Sequence, residues 1–303
     1  MNTQSGVARE SQGTSQAFAP VAVSEGRRMY WLLRRELWES RSIYIAPLAA
    51  AGIVLVGALI GLLRFPAKVR ELSAMGTLHD AIEQPYMFAA LLIMGASFVV
   101  SIFYCLDALH GERRDRSILF WKSLPVSDFT TVLSKAAIPV VVIPLVTFAI
   151  TVVTLWIILL LQIMVLLGNG QSVGLLWSHV SLAQMTLMEF YHLMVGHGLW
   201  YAPIYGWLLL VSAWARKSPF LWAALPLFAI GAIEKIAFNT RYFVDVVAHR
   251  IVGSGGAKAS SAYAMLQLDA GQTLMSPGMW IGFALTAIFL VGAARLRRYQ
   301  GPI

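Results

Sequence analysis

An apolar stretch in the middle of the chain, residues 136–161, decides the class of fold; it reads AAIPVVVIPLVTFAITVVTLWIILLL. The stretch contains no Asp, Glu, Lys or Arg. A helix needs about 17–25 mainly apolar residues to cross the hydrocarbon core of a bilayer. The stretch is therefore long enough to span a membrane, and Pro139 and Pro144 predict a kink or tilt near its start.

Five further apolar blocks of similar length flank this stretch. The chain of 303 residues is 58% hydrophobic and only 13% charged, whereas soluble domains carry roughly 25% charged residues. We therefore predict an all-α integral membrane protein, with six transmembrane helices within residues 27–303 and the last span the shortest. The five flanking blocks are residues 43–63, 86–106, 193–213, 219–238 and 278–294.

The basic residues predict the orientation of the spans. Of the 23 Lys and Arg residues, 16 lie in the two terminal segments and in the second and fourth connections, and 7 lie in the other three connections. Positively charged connections stay in the cytoplasm. We therefore expect a multi-pass protein of the cell membrane, such as a bacterial inner membrane, with both termini cytoplasmic. This orientation explains the net charge of +8 without a nucleic-acid partner.

Two segments precede the first span. Residues 1–26 are rich in Ser, Gln, Ala and Gly and lack the apolar run of a signal peptide, so we predict a disordered tail. Residues 27–41 predict an amphipathic helix at the membrane interface, because their apolar residues recur at helical spacing and Trp31 and Trp38 suit that zone. An ordinary cytoplasmic helix is the alternative.

Motifs for catalysis are absent from the sequence. It contains no G-x-x-x-x-G-K-[ST] phosphate loop, no H-E-x-x-H zinc motif and no G-x-S-x-G nucleophile elbow. The only cysteine, Cys105, ends an apolar block and is expected to be a small buried side chain. We therefore predict a non-catalytic chain that itself holds no cofactor and no metal.

Two groups of polar residues lie near the predicted ends of spans. Glu189 and His192 share one face of an α-helix, but His197 lies about 140° from His192 around the helix. This spread favours interfacial polar residues over metal ligands. Glu234 and Lys235 are expected as an interfacial pair at the outer headgroups, and a place in a substrate path is the alternative.

The connection between the second and third spans, residues 107–135, predicts a contact surface. A charged run at residues 112–116 precedes an apolar patch at residues 118–121. Glu112 and Arg116 have the spacing of an i,i+4 ion pair. Exposed aromatic patches with charged rims usually mark contact surfaces. A helix that lies on lipid is the alternative.

Residues 112–127, which read ERRDRSILFWKSLPVS and are followed by Lys135, resemble the cytoplasmic loop of type-2 ABC transporter permeases. The family pattern is an acidic residue, a basic stretch, a Leu-rich turn, a small residue before Leu-Pro-Val/Leu-Ser, and a Lys that opens the third span. Many members carry Gly-Thr-Leu-Glu where this chain has RSIL at residues 116–119. This departure leaves the subgroup and the substrate open.

The resemblance implies a permease subunit that exports a hydrophobic or amphiphilic compound. Such a subunit pairs with a second copy of itself or a homologous permease, and with ATP-binding cassette subunits that bind the ATP and Mg. Residues 107–124 would form the coupling helix, and the external segment 239–277 would form short helices that dip into the outer leaflet. The implied contacts to the ATPase are the charged side chains Glu112, Arg113, Asp115 and Arg116 and the apolar anchor Phe120 and Trp121.

Two other classes of function stay open at the level of sequence. A membrane scaffold, whose ATPase drives assembly or extraction of another protein, would share the same loop. An integral-membrane enzyme acting on lipid would need a convergent set of His, Asp, Glu or Ser side chains in its spans, and no such set is evident.

Overall fold

All regular secondary structure in the described part of the chain is helical. The computed structural model describes residues 24–75, 78–123, 126–170, 174, 182–252 and 274–303, so nearly all of the predicted tail lies outside the described residues. The elements are α1 (Glu25–Glu39), α2 (Ser42–Leu62), α3 (Phe65–Met75), α4 (Leu78–Ala108), α5 (His110–Arg114), α6 (Ile118–Ser123), α7 (Asp128–Ala137), π1 (Ile138–Val142), α8 (Ile143–Gly168), α9 (Leu182–Tyr191), π2 (His192–Trp200), α10 (Ala202–Trp214), α11 (Pro219–Phe238), α12 (Tyr242–Val252) and α13 (Pro277–Tyr299).

Within the described residues, five helical stretches are long and apolar enough to cross a membrane. Their lengths and compositions agree with the predicted class, a helical membrane protein, and they match five of the six predicted blocks. The third is the longest because α7, π1 and α8 follow one another without a break. The five stretches are Ser42–Leu62, Pro85–Arg114, Asp128–Gly168, Pro219–Phe238 and Pro277–Tyr299.

The remaining predicted span, residues 193–213, is not a single long helix. It is divided between π2 and α10, which has only 13 residues, and Tyr201 lies between them. Pro203 lies at the start of α10, where it cannot donate a backbone hydrogen bond to the preceding turn. The described residues therefore confirm five of the six predicted spans as long apolar helices, and they do not confirm the span at residues 193–213.

The third stretch departs from α geometry where its prolines were expected to kink it. In π1 the Ile143 N–H donates to Ile138 O, five residues back. Pro144 has no N–H to donate to Val140 O. That carbonyl lies against π2, where a Cβ added to Gly198 would be 2.4 Å from it. Only glycine permits the two π segments to approach this closely.

Two groups of helices form the interior of the bundle. Helix α10 packs lengthwise against α13, and α2 packs against both α4 and α8. Helix α4 also contacts α10, so it joins the two groups. Of the side chains of α11, only Ala223 is buried. The outward-facing apolar surface of α11 is therefore available to lipid or to another membrane helix.

Replacing Gly198 with Ala is expected to lower stability by about 1–3 kcal/mol, because the added methyl group overlaps Val140 O. The matched control is Gly95→Ala in α4, where an added Cβ meets no atom within 4 Å. This control should leave stability unchanged or raise it. Thermal unfolding in detergent, followed by circular dichroism, measures both. Equal melting of Gly198→Ala and wild type would contradict the close packing of π1 on π2.

Candidate functional site

The predicted contact segment folds as two short helices at one end of the bundle. Helix α5 follows α4 almost directly, and a turn at residues 115–117 leads into α6. Arg116 has a φ of 59°, a left-handed conformation that is uncommon for residues other than glycine. The part of the predicted coupling helix that the structure describes, residues 107–123, is therefore interrupted by this turn.

Glu112, in the first turn of α5, lies at the centre of a set of buried ion pairs. Its Oε1 is 3.2 Å from Lys135 Nζ, and its Oε2 is 3.2 Å from Arg297 Nη2. The contact with Lys135 is an ion pair whose geometry does not meet that of a hydrogen bond. All three residues are 5% exposed or less. This carboxylate thus joins α5 to α7 and to the end of α13.

Lys135 continues these pairs toward the first helix. Its ammonium is 2.9 Å from Glu36 Oε1, and the Tyr104 hydroxyl donates to Glu36 Oε2 at 2.8 Å. Burial acts to raise the pKa of the Glu36 carboxyl, but the charge and hydrogen bond of Lys135 outweigh burial and the pKa lies below its ordinary value. Glu36 is therefore ionised at neutral pH and balances the lysine charge.

Asp128 ends the row of charges on the other side. Its Oδ1 accepts a hydrogen bond from Arg297 Nη1. Glu36, Lys135, Glu112, Arg297 and Asp128 thus alternate in sign, and we call these five residues the ion-pair network. They connect α1, α5, α7 and α13. A cleft of about 580 Å³ opens beside the network, between α1, α4 and α5.

Arg113 and Ser212 fix α5 against α10. Arg113 Nη1 donates to Ala213 O at 2.7 Å and to Ala215 O at 3.2 Å, at the carboxyl end of α10. Carbonyls in the last turn of a helix lack partners within the helix, and a basic side chain satisfies them. Ser212 Oγ accepts from the N–H groups of Leu109 and His110, where α4 meets α5.

Part of the predicted contact segment is exposed. Asp115 and Arg116 lie at the surface, and Leu119 and Phe120 are 59% and 60% exposed. We call Leu119 and Phe120 the α6 face. Trp121 is only half-buried, and the guanidinium carbon of Arg35 lies 3.3 Å from the centroid of its ring. This cation–π contact holds α6 on α1.

The burial of Glu112 and Arg113 corrects the expectation that both are charged surface contacts. The predicted ion pair between Glu112 and Arg116 is also wrong. Helix α5 ends at Arg114, so Glu112 and Arg116 do not lie on one helix. Glu112 and Arg113 therefore hold the segment against the bundle. The exposed residues that follow them, Asp115, Arg116, Leu119 and Phe120, form its surface.

Three members of the network escape detection from sequence, namely Glu36, Asp128 and Arg297. Glu36 and Arg297 lie in segments where charged residues are common, so their charges carry no local signal. Asp128 follows Ser127 at a predicted helix start, where the pair indicates a cap and not a buried charge. Lys135 is the exception. It is a lone cation at the entrance of an apolar span, and a buried charge requires a partner. The sequence alone does not say which carboxylate that partner is.

Glu189, His192 and His197 are buried against neighbouring helices, and their predicted interfacial position stays a prediction. Hydrogen bonds in a π-helix join residues five apart. Because His192 and His197 are five apart within π2, their side chains are closer together around the helix axis than in an α-helix. His197 Nε2 lies 3.4 Å from Ser101 Oγ. Among the described residues, no three His, Cys, Asp or Glu side chains group as metal ligands.

Glu234 and Lys235 do not form the predicted pair with each other. Glu234 accepts hydrogen bonds from the Thr240 hydroxyl and the Phe243 N–H, both at 2.9 Å, and so caps the start of α12. Lys235 Nζ donates to Asn239 Oδ1 at 2.6 Å. Both residues stabilise the turn from α11 to α12. Helix α12 is one short helix of the predicted segment 239–277, of which residues 253–273 lie outside the described residues.

Comparison with known proteins identifies no relative of this chain. No family model, curated protein or solved structure matches the chain. The ion-pair network, the α6 face and the resemblance of the loop are therefore the features that bear on function.

Replacing Lys135 with Met is expected to lower the free energy of unfolding by about 3–5 kcal/mol, because Glu36 and Glu112 are then buried without their shared cation. The matched control is Arg114→Met, which removes exposed ion pairs with Asp107 and Asp115 and should leave stability nearly unchanged. Denaturant unfolding in detergent compares the two. A Lys135→Met variant as stable as the control would contradict the network.

Acid is expected to destabilise the protein partly through Glu36. Because the folded-state pKa of Glu36 lies below its ordinary value of 4.5, its contribution to stability is complete above that value. The contribution disappears as pH falls through the lowered pKa. Melting temperatures between about pH 6 and pH 3 should therefore fall less steeply for Glu36→Gln than for wild type. Glu39→Gln, which removes an exposed carboxylate, is the control; an unchanged slope for Glu36→Gln would contradict this role.

Proposed function

We propose that this chain is the permease subunit of an ATP-binding cassette transporter, and that it exports hydrophobic or amphiphilic compounds. A separate ATPase subunit binds the ATP and Mg and supplies the energy. The observation that carries the proposal is the position of the exposed α6 face next to the buried ion-pair network. The α6 face, which could dock a partner, therefore lies beside contacts that connect α1, α5, α7 and α13.

The α6 face has the chemistry of a protein contact. Leu119 and Phe120 form an exposed apolar anchor, and Asp115 and Arg116 provide a charged rim. Interfaces commonly combine an apolar or aromatic centre with such a rim.

A displacement of α6 would be passed on to the spans through specific contacts. Trp121 connects α6 to α1 through Arg35, and Lys122 Nζ donates to Gln300 O at 3.0 Å just beyond α13. The ion-pair network adds α7. Breaking a buried ion pair is strongly destabilising, so the connected helices would move together. In this proposal, closure of the ATPase on ATP pushes α6 and reorients α1, α7 and α13.

The proposal includes a second permease half, either a second copy of this chain or a homologous subunit. Transport between two halves requires each to offer an apolar flank within the membrane. Helix α11 offers such a flank, because Phe228 and Ile236 are among its many exposed apolar side chains. Helices associate in bilayers by close packing of such surfaces.

Affinity purification of the full chain from its native membranes in gentle detergent tests the proposal, with mass spectrometry of the bound proteins. An ATP-binding cassette ATPase should co-purify with the wild type. The variant Leu119→Ser with Phe120→Ser removes the apolar anchor and leaves the residues of the ion-pair network unchanged. The amount of ATPase that co-purifies with it should be about tenfold lower than with the wild type. Trp38→Ser, which changes an exposed aromatic residue of α1, should retain the wild-type amount.

Two results would count against this assignment. Equal retention of the ATPase by the Leu119 and Phe120 variant would show that the α6 face is not the docking surface. If no ATPase of this class accompanies any form of the chain, the transporter function itself fails.

A further inference from the structure

We infer that a groove between α2, α3, α4 and α8 binds one anionic phospholipid of the surrounding membrane, with an acyl chain in the groove and the phosphate at its mouth. The groove lies toward the end of α2 that is distant from the ion-pair network. Its volume is about 590 Å³, within the range of roughly 300–1,000 Å³ usual for small-molecule sites. Its apolar wall includes Ile53, Leu92 and Ile158.

The length of the groove suits an acyl chain of one leaflet. Its lining begins at Ile53 on α2 and reaches Arg64, in the turn after α2, at the mouth. At about 1.5 Å per residue these eleven steps cover roughly 16 Å. The hydrocarbon core of a bilayer is about 30 Å thick, so one leaflet occupies about half of it. The groove and the tail of a membrane lipid therefore match in length.

Small residues of α2 leave the groove open. Gly57 and Gly61 both line it, and a Cβ added to either glycine would meet no atom within 4 Å. Gln162 also lines the groove, and its Oε1 accepts a hydrogen bond from the hydroxyl of the fully buried Tyr86 at 2.5 Å, so this hydroxyl needs no partner from a ligand. An apolar occupant therefore leaves the Tyr86 hydroxyl satisfied.

Two cations at the mouth indicate the headgroup. Arg64 and Lys68 are exposed lining residues, and the Lys68 N–H donates to Arg64 O at 3.0 Å, so they lie one helical turn apart. Within the described part of the chain, neither side chain has a carboxylate at ion-pair distance. Paired basic side chains at a membrane surface attract anionic lipids and bind phosphate oxygens.

A lipid fits this groove better than a peptide does. An extended peptide at membrane depth would leave backbone N–H and C=O groups without partners, at a cost of several kcal/mol for each group. An acyl chain has no polar groups along its length. The inference does not rest on the proposed transport function, because a lipid site can be measured on the isolated chain without an ATPase.

The test uses the full chain, purified in detergent, stripped of lipid, and titrated with phosphatidylglycerol or phosphatidylcholine of identical acyl chains. Native mass spectrometry counts the bound lipids. We expect one phosphatidylglycerol to bind about tenfold more tightly than phosphatidylcholine, because the choline ammonium is repelled by Arg64 and Lys68. Excess glycerol phosphate should not displace the lipid, since it lacks the acyl chain.

Two pairs of variants separate the groove from its mouth. Gly57→Leu with Gly61→Leu fills the groove and should abolish the tight site, whereas Gly52→Leu adds the same side chain to an open position outside the groove and should not. Arg64→Gln with Lys68→Gln should make the two lipids bind equally, and Arg241→Gln, another exposed cation, should preserve the preference.

Either of two results overturns the inference. One is equal binding of the two lipids by the wild type. The other is an unchanged preference in the Arg64 and Lys68 variant, which alters only exposed side chains and so should fold normally. Displacement of the lipid by glycerol phosphate alone would assign the mouth to a free phosphate compound and would reject the acyl-chain site.

Discussion

A lysine ammonium buried between two carboxylates is the constraint on which one end of this molecule depends. Lys135 lies between Glu36 and Glu112, and moving an ion out of water costs several kcal/mol unless partners surround it. Helix α7 can occupy its buried position only when α1 and α5 bring these carboxylates to it. Helix α13 is constrained in the same way, because its Arg297 is buried and needs Glu112 and Asp128 as partners.

Different interactions fix the parts of the bundle. Near the network, charge pairs and the Arg113 hydrogen bonds to the end of α10 set the positions of the helices. Within the bundle, close packing of π1 on π2 does so, because Gly198 leaves no room for a side chain next to Val140 O. Closely packed interiors transmit strain rather than absorb it. A displacement of α6 is therefore expected to shift the helices packed against it.

The sequence predicts this fold best where a single local rule applies. Long apolar runs identified five of the helices that could cross a membrane, and Pro139 and Pro144 located the departure from α geometry. The division of residues 193–213 was missed, because a π segment has no apolar signature of its own. The network was missed for another reason. Its partners lie 99 and 185 residues apart along the chain, and periodicity carries no information over such separations.

The chain's last described residue has a practical consequence for any fused tag. The Ile303 N–H donates to Arg113 O at 3.2 Å, and Gly301 O accepts from Arg113 Nε at 3.3 Å. A peptide attached after Ile303 would therefore start against α5, within a few residues of the α6 face. In the proposed transporter, such an appendage would compete for space with the ATPase subunit. A label intended to leave that surface accessible belongs before α1.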